Sequence, residues 1–278
     1  MKKISRRSFL AAAGLSVAAL ALTACGGSAS SVASSVASSA SSAAASTSAA
    51  AGELTTVEAG KLTMATNAAF PPYEMTTDAG DFEGIDIETA QAIADKLGLE
   101  LQIDDMDFDA ALLSVQQGKA DIVMAGVTVT DERKAVMDFS DSYATGIQSI
   151  IVPEGSDIAS PDDLAGKKIG TQRGTTGYIY CSDDFGDDAV VAYDNGLTAV
   201  QALNNGQVDA VVIDNAPAKE YVAANPGLAI LDTSYAEEDY AIGMAKGSSL
   251  EAAVNAALEE LKADGTLQSI VDKYITAE

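Results

Sequence analysis

The chain has 278 residues, 47% of them apolar, which is enough for more than one ordinary domain with a buried core. It carries 41 acidic and 16 basic residues and no histidine, for a formal net charge of −25. This charge argues against nucleic acid or an anionic lipid surface as a partner. The missing histidine removes the commonest transition-metal ligand and general base.

Residues 1–24 are predicted to form a secretory signal. A basic start, MKKISRRSFL, precedes an apolar run at 11–22 that is shorter than the roughly 20 residues needed to span a bilayer. The run ends in Leu22-Thr23-Ala24-Cys25, which resembles the bacterial lipobox and implies that Cys25 is lipidated as the first residue of the mature chain. A chance cysteine after a signal peptide is the alternative. Arg6-Arg7 also resembles a twin-arginine export signal.

The segment 25–52 is predicted to be a tether that starts at Cys25. After this cysteine it holds only serine, alanine, glycine, valine and one threonine, without a charge, so it cannot build a core. A random coil of this length reaches roughly 30 Å. With Cys25 lipidated, Cys181 has no disulfide partner, and we expect it to be a buried, inert thiol.

From Glu53 onward the sequence predicts strands that alternate with helices, with Gly98 placed to end one helix. The first set is a strand at 61–68, a short strand and a helix within 84–98, a strand at 100–104, a helix at 107–118 and a buried strand at 120–126. The second set is a strand at 167–172, a helix beginning in 174–181, a helix at 196–207, a strand at 208–214, a helix at 216–226 and a helical tail at 249–275 with a turn at Asp264-Gly265. This alternation predicts an α/β fold with mostly parallel sheets.

The segment 117–123 is echoed at 205–211. In each, a helix ends at a glycine and a one-residue step leads through an aspartate, Asp121 or Asp209, into a buried strand. The echo reflects either two ordinary helix–strand turns or two similar lobes. Ligands of open α/β sheets bind beyond the carboxyl ends of strands. Two lobes would place the ends Ala125-Gly126 and Ile213-Asp214 at a shared cleft.

Four segments resemble the polar amino-acid-binding proteins of ABC importers. In chain order they are ATNAAFPPYEM, GIDIETAQAIADKLG, GKADIVMAGVTVTDERKAVMDFSDSY and QVDAVVID. The resemblance runs from about Gly60 to Ile275. It is most specific at the threonine-Asp-x-Arg run and the following Asp-Phe-Ser.

The resemblance implies a two-lobed, type II periplasmic-binding-protein-like fold. Each lobe would be a mostly parallel sheet flanked by helices, and two hinge strands would cross between the lobes near 144–149 and 238–243. Lobe 1 would comprise 53–145 and 242–278, and lobe 2 would comprise 146–241. The C-terminal helices would thereby return to the first lobe, and the lobes would close on an amino acid.

The residues at the predicted cleft suit a zwitterion, which needs one cation and one anion at fixed spacing when it is enclosed. Arg133 offers a planar fork matched to a carboxylate. Thr128 adds a hydroxyl, and Thr175 and Thr176 lie at a predicted helix start that favours an anion. For the ligand ammonium we predict Asp214, with the carbonyl of Ala125 or Gly126.

Each of these side chains also has a structural alternative. Arg133 could lie on a helix surface among its charged neighbours. Asp214 could be a helix N-cap, and Thr175 and Thr176 could be caps only.

By position in the family motif, four side chains should face the side chain of the ligand: Asn67, Phe70, Phe108 and Gln172. Phe108 could instead belong to the core, because it shares helical spacing with Leu112 and Val115. The neutral amides favour a neutral polar ligand. An acid at Glu74 or Asp78 keeps a cationic, arginine-type ligand open.

These features predict a monomeric amino-acid-binding protein without cofactor or metal, lipid-anchored through Cys25 to the outer face of the bacterial cell membrane. It would deliver its ligand to an ABC permease and its ATPase. An enzyme resembling cyclohexadienyl dehydratases is the alternative of another class, although only Asp214 is acidic among the predicted pocket residues. A calcium loop starting at Asp105 lacks the required glycine and closing glutamate.

Overall fold

The computed structural model describes residues 54–275. The predicted signal peptide, the lipidation site Cys25 and the tether lie outside these residues. Within the described part, every helix is too short or too polar to cross a membrane.

Strands and helices alternate along the described residues. The strands are β1 (Lys61–Thr66), β2 (Ala69–Phe70), β3 (Glu74–Thr76), β4 (Phe82–Glu83), β5 (Glu100–Asp105), β6 (Ile122–Val123), β7 (Met137–Phe139), β8 (Ala144–Pro153), β9 (Ile169–Gln172), β10 (Val190–Tyr193), β11 (Ala210–Asp214), β12 (Leu228–Ile230), β13 (Ala236–Tyr240) and β14 (Gly243–Ala245). The α-helices are α1 (Ile85–Leu97), α2 (Phe108–Gln116), α3 (Asp131–Val136), α4 (Thr176–Phe185), α5 (Gly196–Asn204), α6 (Asn215–Ala224), α7 (Glu251–Ala263) and α8 (Thr266–Tyr274). Short 3₁₀ turns lie at Pro161–Leu164 and Asp187–Ala189.

Two mixed sheets form the centres of the two lobes. One has the order β5-β1-β6-β14-β7, and the other has the order β10-β9-β11-β8-β12, with β13 also paired to β8. The two-lobed α/β fold is confirmed, and both sheets are mixed: parallel pairing predominates in the first sheet and antiparallel pairing in the second. Parallel pairing is confined to the strands joined by helical crossovers, β1 with β5 and β6, and β9 with β10 and β11. The antiparallel pairs are made by the two strands that follow the crossings between the sheets: β8 pairs with β11, β12 and β13, and β14 pairs with β6 and β7.

Two short segments carry the chain from one sheet to the other. Residues 140–143 lead from β7 to β8, and residues 241–242 lead from β13 to β14. Strands β8 and β13 pair directly beyond these segments, with Ala144 opposite Tyr240. The crossing at 241–242 falls within the implied hinge strand 238–243, whereas the crossing at 140–143 lies just before the implied 144–149.

The segment 84–98 differs from its prediction. Helix α1 starts at Ile85, so the predicted short strand inside this segment is wrong, and the strand β4 lies ahead of it. The alternation Ile-Asp-Ile is misleading because Asp86 is as buried as its neighbours. Gly98 ends the helix in the left-handed conformation, as predicted.

The echoed segments form the same structure in both lobes. Gly118 and Gly206 follow α2 and α5 with φ of 66° and 67°. Asp121 accepts a hydrogen bond from the backbone N–H of Thr63 at 2.8 Å, and Asp209 accepts one from Lys168 at 2.7 Å. In return, the backbone N–H of Asp121 donates to the carbonyl of Thr63, and the backbone N–H of Asp209 donates to the carbonyl of Lys168. The repeat therefore ties β6 and β11 to their parallel neighbours in the same way.

The C-terminal helices return to α1, as the resemblance implies. Lys96 of α1 pairs with Glu260 of α7 at 3.1 Å, and the hydroxyl of Tyr274 accepts the backbone N–H of Gly84. In the other lobe Cys181 is fully buried, and this burial raises the pKa of its thiol to about 12. Cys181 is therefore protonated and unreactive at neutral pH.

Candidate functional site

A small cavity lies between the lobes. All eleven predicted site residues line it, together with Glu74. From the first lobe come Asn67, Phe70, Glu74, Phe108, Ala125, Gly126, Thr128 and Arg133, and from the second come Gln172, Thr175, Thr176 and Asp214.

Arg133 lies in helix α3 but is only 8% exposed, so the alternative of a surface arginine is wrong. Its guanidinium donates to the carbonyl of Thr128 at 2.8 Å and, across the cleft, to the carbonyl of Gly174 at 3.1 Å. The same group lies 5.3 Å from the ring centre of Phe108, a cation–π contact. Burial lowers the pKa of Arg133, while Glu238 raises it. An arginine still remains charged in a protein, so this cation needs a counter-charge.

The three threonines meet where α4 begins. The hydroxyls of Thr128 and Thr176, which belong to different lobes, lie 3.4 Å apart. Thr175 caps α4 by accepting from the backbone N–H of Tyr178, and its own hydroxyl donates to the carbonyl of Gln172 at 2.8 Å. Thr175 is therefore a cap that also lines the cavity. Thr176 is the first residue of α4, and its hydroxyl faces the cleft.

Asp214 ends strand β11 and is 7% exposed. It occupies the N-cap position of α6 but makes no capping bond, so the capping alternative does not describe its side chain. Its carboxylate accepts hydrogen bonds from the hydroxyl of Tyr240 and from the amide of Gln148, the latter at 2.7 Å. Burial raises the pKa of Asp214 to about 7. A cation in the cavity would favour its ionised form.

Ala125 and Gly126 line the cavity just beyond the end of β6. Gly126 has φ +53°, and a Cβ at this position would lie 2.8 Å from the ring of Phe70. Glycine therefore lets the aromatic ring approach the backbone closely.

The four residues predicted to face the side chain of the ligand also line the cavity. Gln172 donates to the amide oxygen of Asn67 across the cleft at 2.9 Å, and Asn67 donates to the carbonyl of Met106. Phe70 stacks on Tyr73 with ring centres 5.8 Å apart. Phe108 belongs to a buried core cluster and also lines the cavity, so both interpretations of this residue hold.

Of the two acids proposed for a cationic ligand, the structure brings only Glu74 to the cavity, since Asp78 is exposed. Glu74 is 0% exposed, and the group that faces its carboxyl is the carboxyl of Asp86. Burial, followed by the neighbouring carboxyl of Asp86, raises the pKa of Glu74 well above its ordinary value.

Sequence reasoning missed three buried residues behind the cavity: Gln148, Glu238 and Tyr240. Glu238 accepts hydrogen bonds from Thr128 and Gln148, both at 3.1 Å. The signal that could have found them is the alternation of β13, which turns residues 238 and 240 to one buried face. That signal is usable only once the strand is known to pair with β8.

The charges at the site are unequal. Arg133 is the one buried cation among the described residues, whereas Glu74, Asp86, Asp214 and Glu238 are all buried acids. Such a site favours a ligand that brings positive charge, or it retains protons.

Comparison with known proteins identifies similar chains. The sequence model of the bacterial extracellular solute-binding proteins, family 3, matches residues 62–277. The probable histidine-binding protein of Neisseria gonorrhoeae is 33% identical over 277 residues, which are 96% of this chain and 95% of the relative. An ancestral arginine-binding protein is 43% identical in structures solved with glutamine and with arginine. Their TM-scores are 0.75 and 0.74, with 78% of this chain and 99% and 98% of theirs covered.

Proposed function

Because the chain belongs to the bacterial extracellular solute-binding proteins of family 3, we propose that it binds a free amino acid outside the cytoplasm and delivers it to an ABC permease and its ATPase. The observation that carries this proposal is the cavity between the lobes. It places a buried guanidinium, Arg133, and a buried carboxylate, Asp214, on opposite lobes. The matched family and the relatives above are solute-binding proteins rather than enzymes.

In the proposed complex, the two charged ends of the ligand meet opposite lobes. The carboxylate binds Arg133, Thr128 and the start of α4 at Thr175 and Thr176. The ammonium binds Asp214 and the carbonyls of Ala125 and Gly126. Because the ligand contacts both lobes only when they are closed, it favours the closed form by its differential affinity.

The ligand class has two candidates. The neutral amides of Asn67 and Gln172 support a neutral polar amino acid, because each can both donate and accept. The buried carboxyl of Glu74 supports a cationic amino acid of the arginine type. The relatives include a probable histidine-binding protein and an arginine-binding protein that was also solved with glutamine, so they favour neither class alone.

We further propose that Cys25 carries a lipid anchor and that the mature protein is a monomer at the outer face of the membrane. The support for the anchor is the sequence Leu22-Thr23-Ala24-Cys25. We expect a Cys25→Ser variant to be unlipidated and to leave the membrane fraction after export. Recovery of this variant with the membranes at the wild-type level would contradict the anchor.

Thermal unfolding of the mature protein tests amino-acid binding. The protein is first unfolded, dialysed and refolded to remove any co-purified ligand, and is then screened against the twenty amino acids, ornithine, citrulline and cystine. A ligand at 100 times its Kd stabilises the folded state by about 2.7 kcal/mol, which corresponds to a shift of several degrees. A shift with a few of these compounds supports the proposal, and a flat panel with refolded protein rejects it.

A further inference from the structure

Glu74 differs from Asp214, the other acid of the cavity wall, in the groups that face it. Asp214 is held by Tyr240 and Gln148. Glu74 is fully buried, and the group that faces its carboxyl is another acid, Asp86. A buried carboxylate that faces no donor or cation is costly, so Glu74 needs either a proton or a cation.

Asp86 is fixed beside Glu74 by the backbone. Its N–H donates to the carbonyl of Tyr73 at 2.8 Å, which ties the start of α1 to the residue before Glu74. The carboxyl of Asp86 accepts the N–H of Gly126 at 3.0 Å and also faces the hydroxyl of Tyr143 and the carboxyl of Glu74. Two buried carboxyl groups at this separation cannot both ionise at low cost.

The groups that face this pair are carboxyl and phenol groups. The carboxyls of Asp105 and Asp214 act on Glu74 from β5 and β11. Three phenol groups have pKa values that are raised in part by the charge of Glu74. They are Tyr73 in the β2–β3 turn, Tyr143 before β8 and Tyr221 in α6. All of these groups are acids or neutral, so a positive charge for Glu74 has to come from the ligand or from solvent as a proton.

We propose that Glu74 is a specificity-determining residue that holds an exchangeable proton, which it keeps beside a neutral ligand and releases to solvent when a cationic side chain binds. For each cationic ligand that binds, the Glu74 carboxyl loses one proton to solvent. Without that ligand, the neighbouring carboxyl of Asp86 destabilises the ionised form of Glu74. This inference rests on the proposed function. It would let one cavity accept both ligand classes.

The direction of the pKa shifts agrees with this geometry. Burial, and then the charge of Asp86, raises the pKa of Glu74 well above its ordinary value. Burial also raises the pKa of Asp86 to about 6. A cation in contact with Glu74 acts in the opposite direction and favours ionisation.

Arginine and citrulline provide the test, because citrulline has nearly the same shape without the charge. Isothermal titration calorimetry of each compound at neutral pH, in phosphate and in Tris, gives the number of protons released on binding. Protons from Asp214 or from the ligand ammonium contribute equally to both compounds and cancel in the difference. We expect arginine to release about one proton more than citrulline. We also expect arginine affinity to rise up to about tenfold per pH unit, by the linkage between proton release and binding.

Two variants assign the proton to its residue. Glu74→Gln should abolish the extra proton and weaken arginine at least tenfold more than citrulline at neutral pH. Glu83→Gln, an exposed site on the neighbouring strand β4, is the matched control and should behave as wild type.

The outcomes separate this inference from the proposed function. Equal proton release by arginine and citrulline overturns it, as does an extra proton that persists in Glu74→Gln. If arginine and lysine fail to bind while citrulline or glutamine binds, the inference is wrong and the proposed function stands. If no amino acid of the panel binds, both are wrong. The wild-type comparison decides even if Glu74→Gln does not fold.

Discussion

Replacement of Arg133 by alanine tests the charge pairing at the cavity most directly. The guanidinium is buried and bonded to backbone carbonyls of both lobes, so a ligand carboxylate beside it would be largely desolvated. Loss of a buried, hydrogen-bonded charge partner costs about 2–5 kcal/mol. We therefore expect Arg133→Ala to weaken amino-acid binding by a factor between about 30 and several thousand.

The loss in Arg133→Ala has two sources, because the side chain also bridges the lobes through Gly174. Calorimetry with an amino acid and with its α-carboxamide separates them in a double-mutant cycle. If Arg133 binds the carboxylate, the variant loses much affinity for the amino acid and little for the carboxamide. Equal losses for both compounds would refute the carboxylate contact and leave only a role in closure. Lys134→Ala removes a positive charge from the exposed next position of α3 and serves as the control.

Three further predictions follow from other contacts. A Cβ at Gly146 would lie 2.5 Å from the hydroxyl of Tyr240 and 2.6 Å from Asp214, so Gly146→Ala should lower the free energy of unfolding by about 1–3 kcal/mol in urea and weaken ligand binding in calorimetry. The control Thr145→Ala, at an exposed position of the same strand, should change neither quantity. The hydroxyl of Tyr221 donates to the carbonyl of Ala69 in the other lobe at 2.8 Å, so Tyr221→Phe should weaken ligand binding by about 0.5–1.5 kcal/mol through loss of this bond between the lobes. An unchanged affinity in calorimetry would show that this bond has no part in closure. Burial raises the pKa of Asp86 from an ordinary 3.8 to about 6, so its protonation stabilises the folded state below about pH 4, and this contribution of about 3 kcal/mol is lost as the pH rises through about 6. About half of it falls between pH 5 and pH 8, so urea unfolding at these two pH values should show a smaller decline in Asp86→Asn than in wild type.

The sequence predicts those parts of the site that depend on local patterns. Asp214 lies at the end of an apolar run, and Thr175 lies where a glycine precedes a helix, so each position is marked by its immediate neighbours. Arg133 is marked by the family motif and by its rarity in an acidic chain. In each case the structure placed the residue at the cavity because strand ends and helix starts meet there.

The sequence does not predict the parts that depend on distant strand pairing. Glu238 reaches Gln148 from 90 residues away, through the antiparallel pair β8–β13, and no pattern in either segment announces that contact. The antiparallel pairs of β8 with β11, β12 and β13 also make the second sheet mixed rather than mostly parallel. The wrong strand within 84–98 has a related cause, because the burial of Asp86 depends on a partner group, the N–H of Gly126, 40 residues away.

The closed arrangement depends on more than a ligand. Gln172 bonds to Asn67, the hydroxyl of Thr176 lies against that of Thr128, and the guanidinium of Arg133 bonds to Gly174, so each lobe contributes polar groups that the other lobe satisfies. These contacts stabilise closure by themselves, and a ligand needs to supply only the remaining difference in free energy between the open and closed forms. The charged groups that line the closed cavity then decide which ligand supplies this difference. In the proposed complex, Arg133 and Asp214 bind the carboxylate and ammonium that every amino acid has, whereas the carboxyl of Glu74 distinguishes one ligand side chain from another.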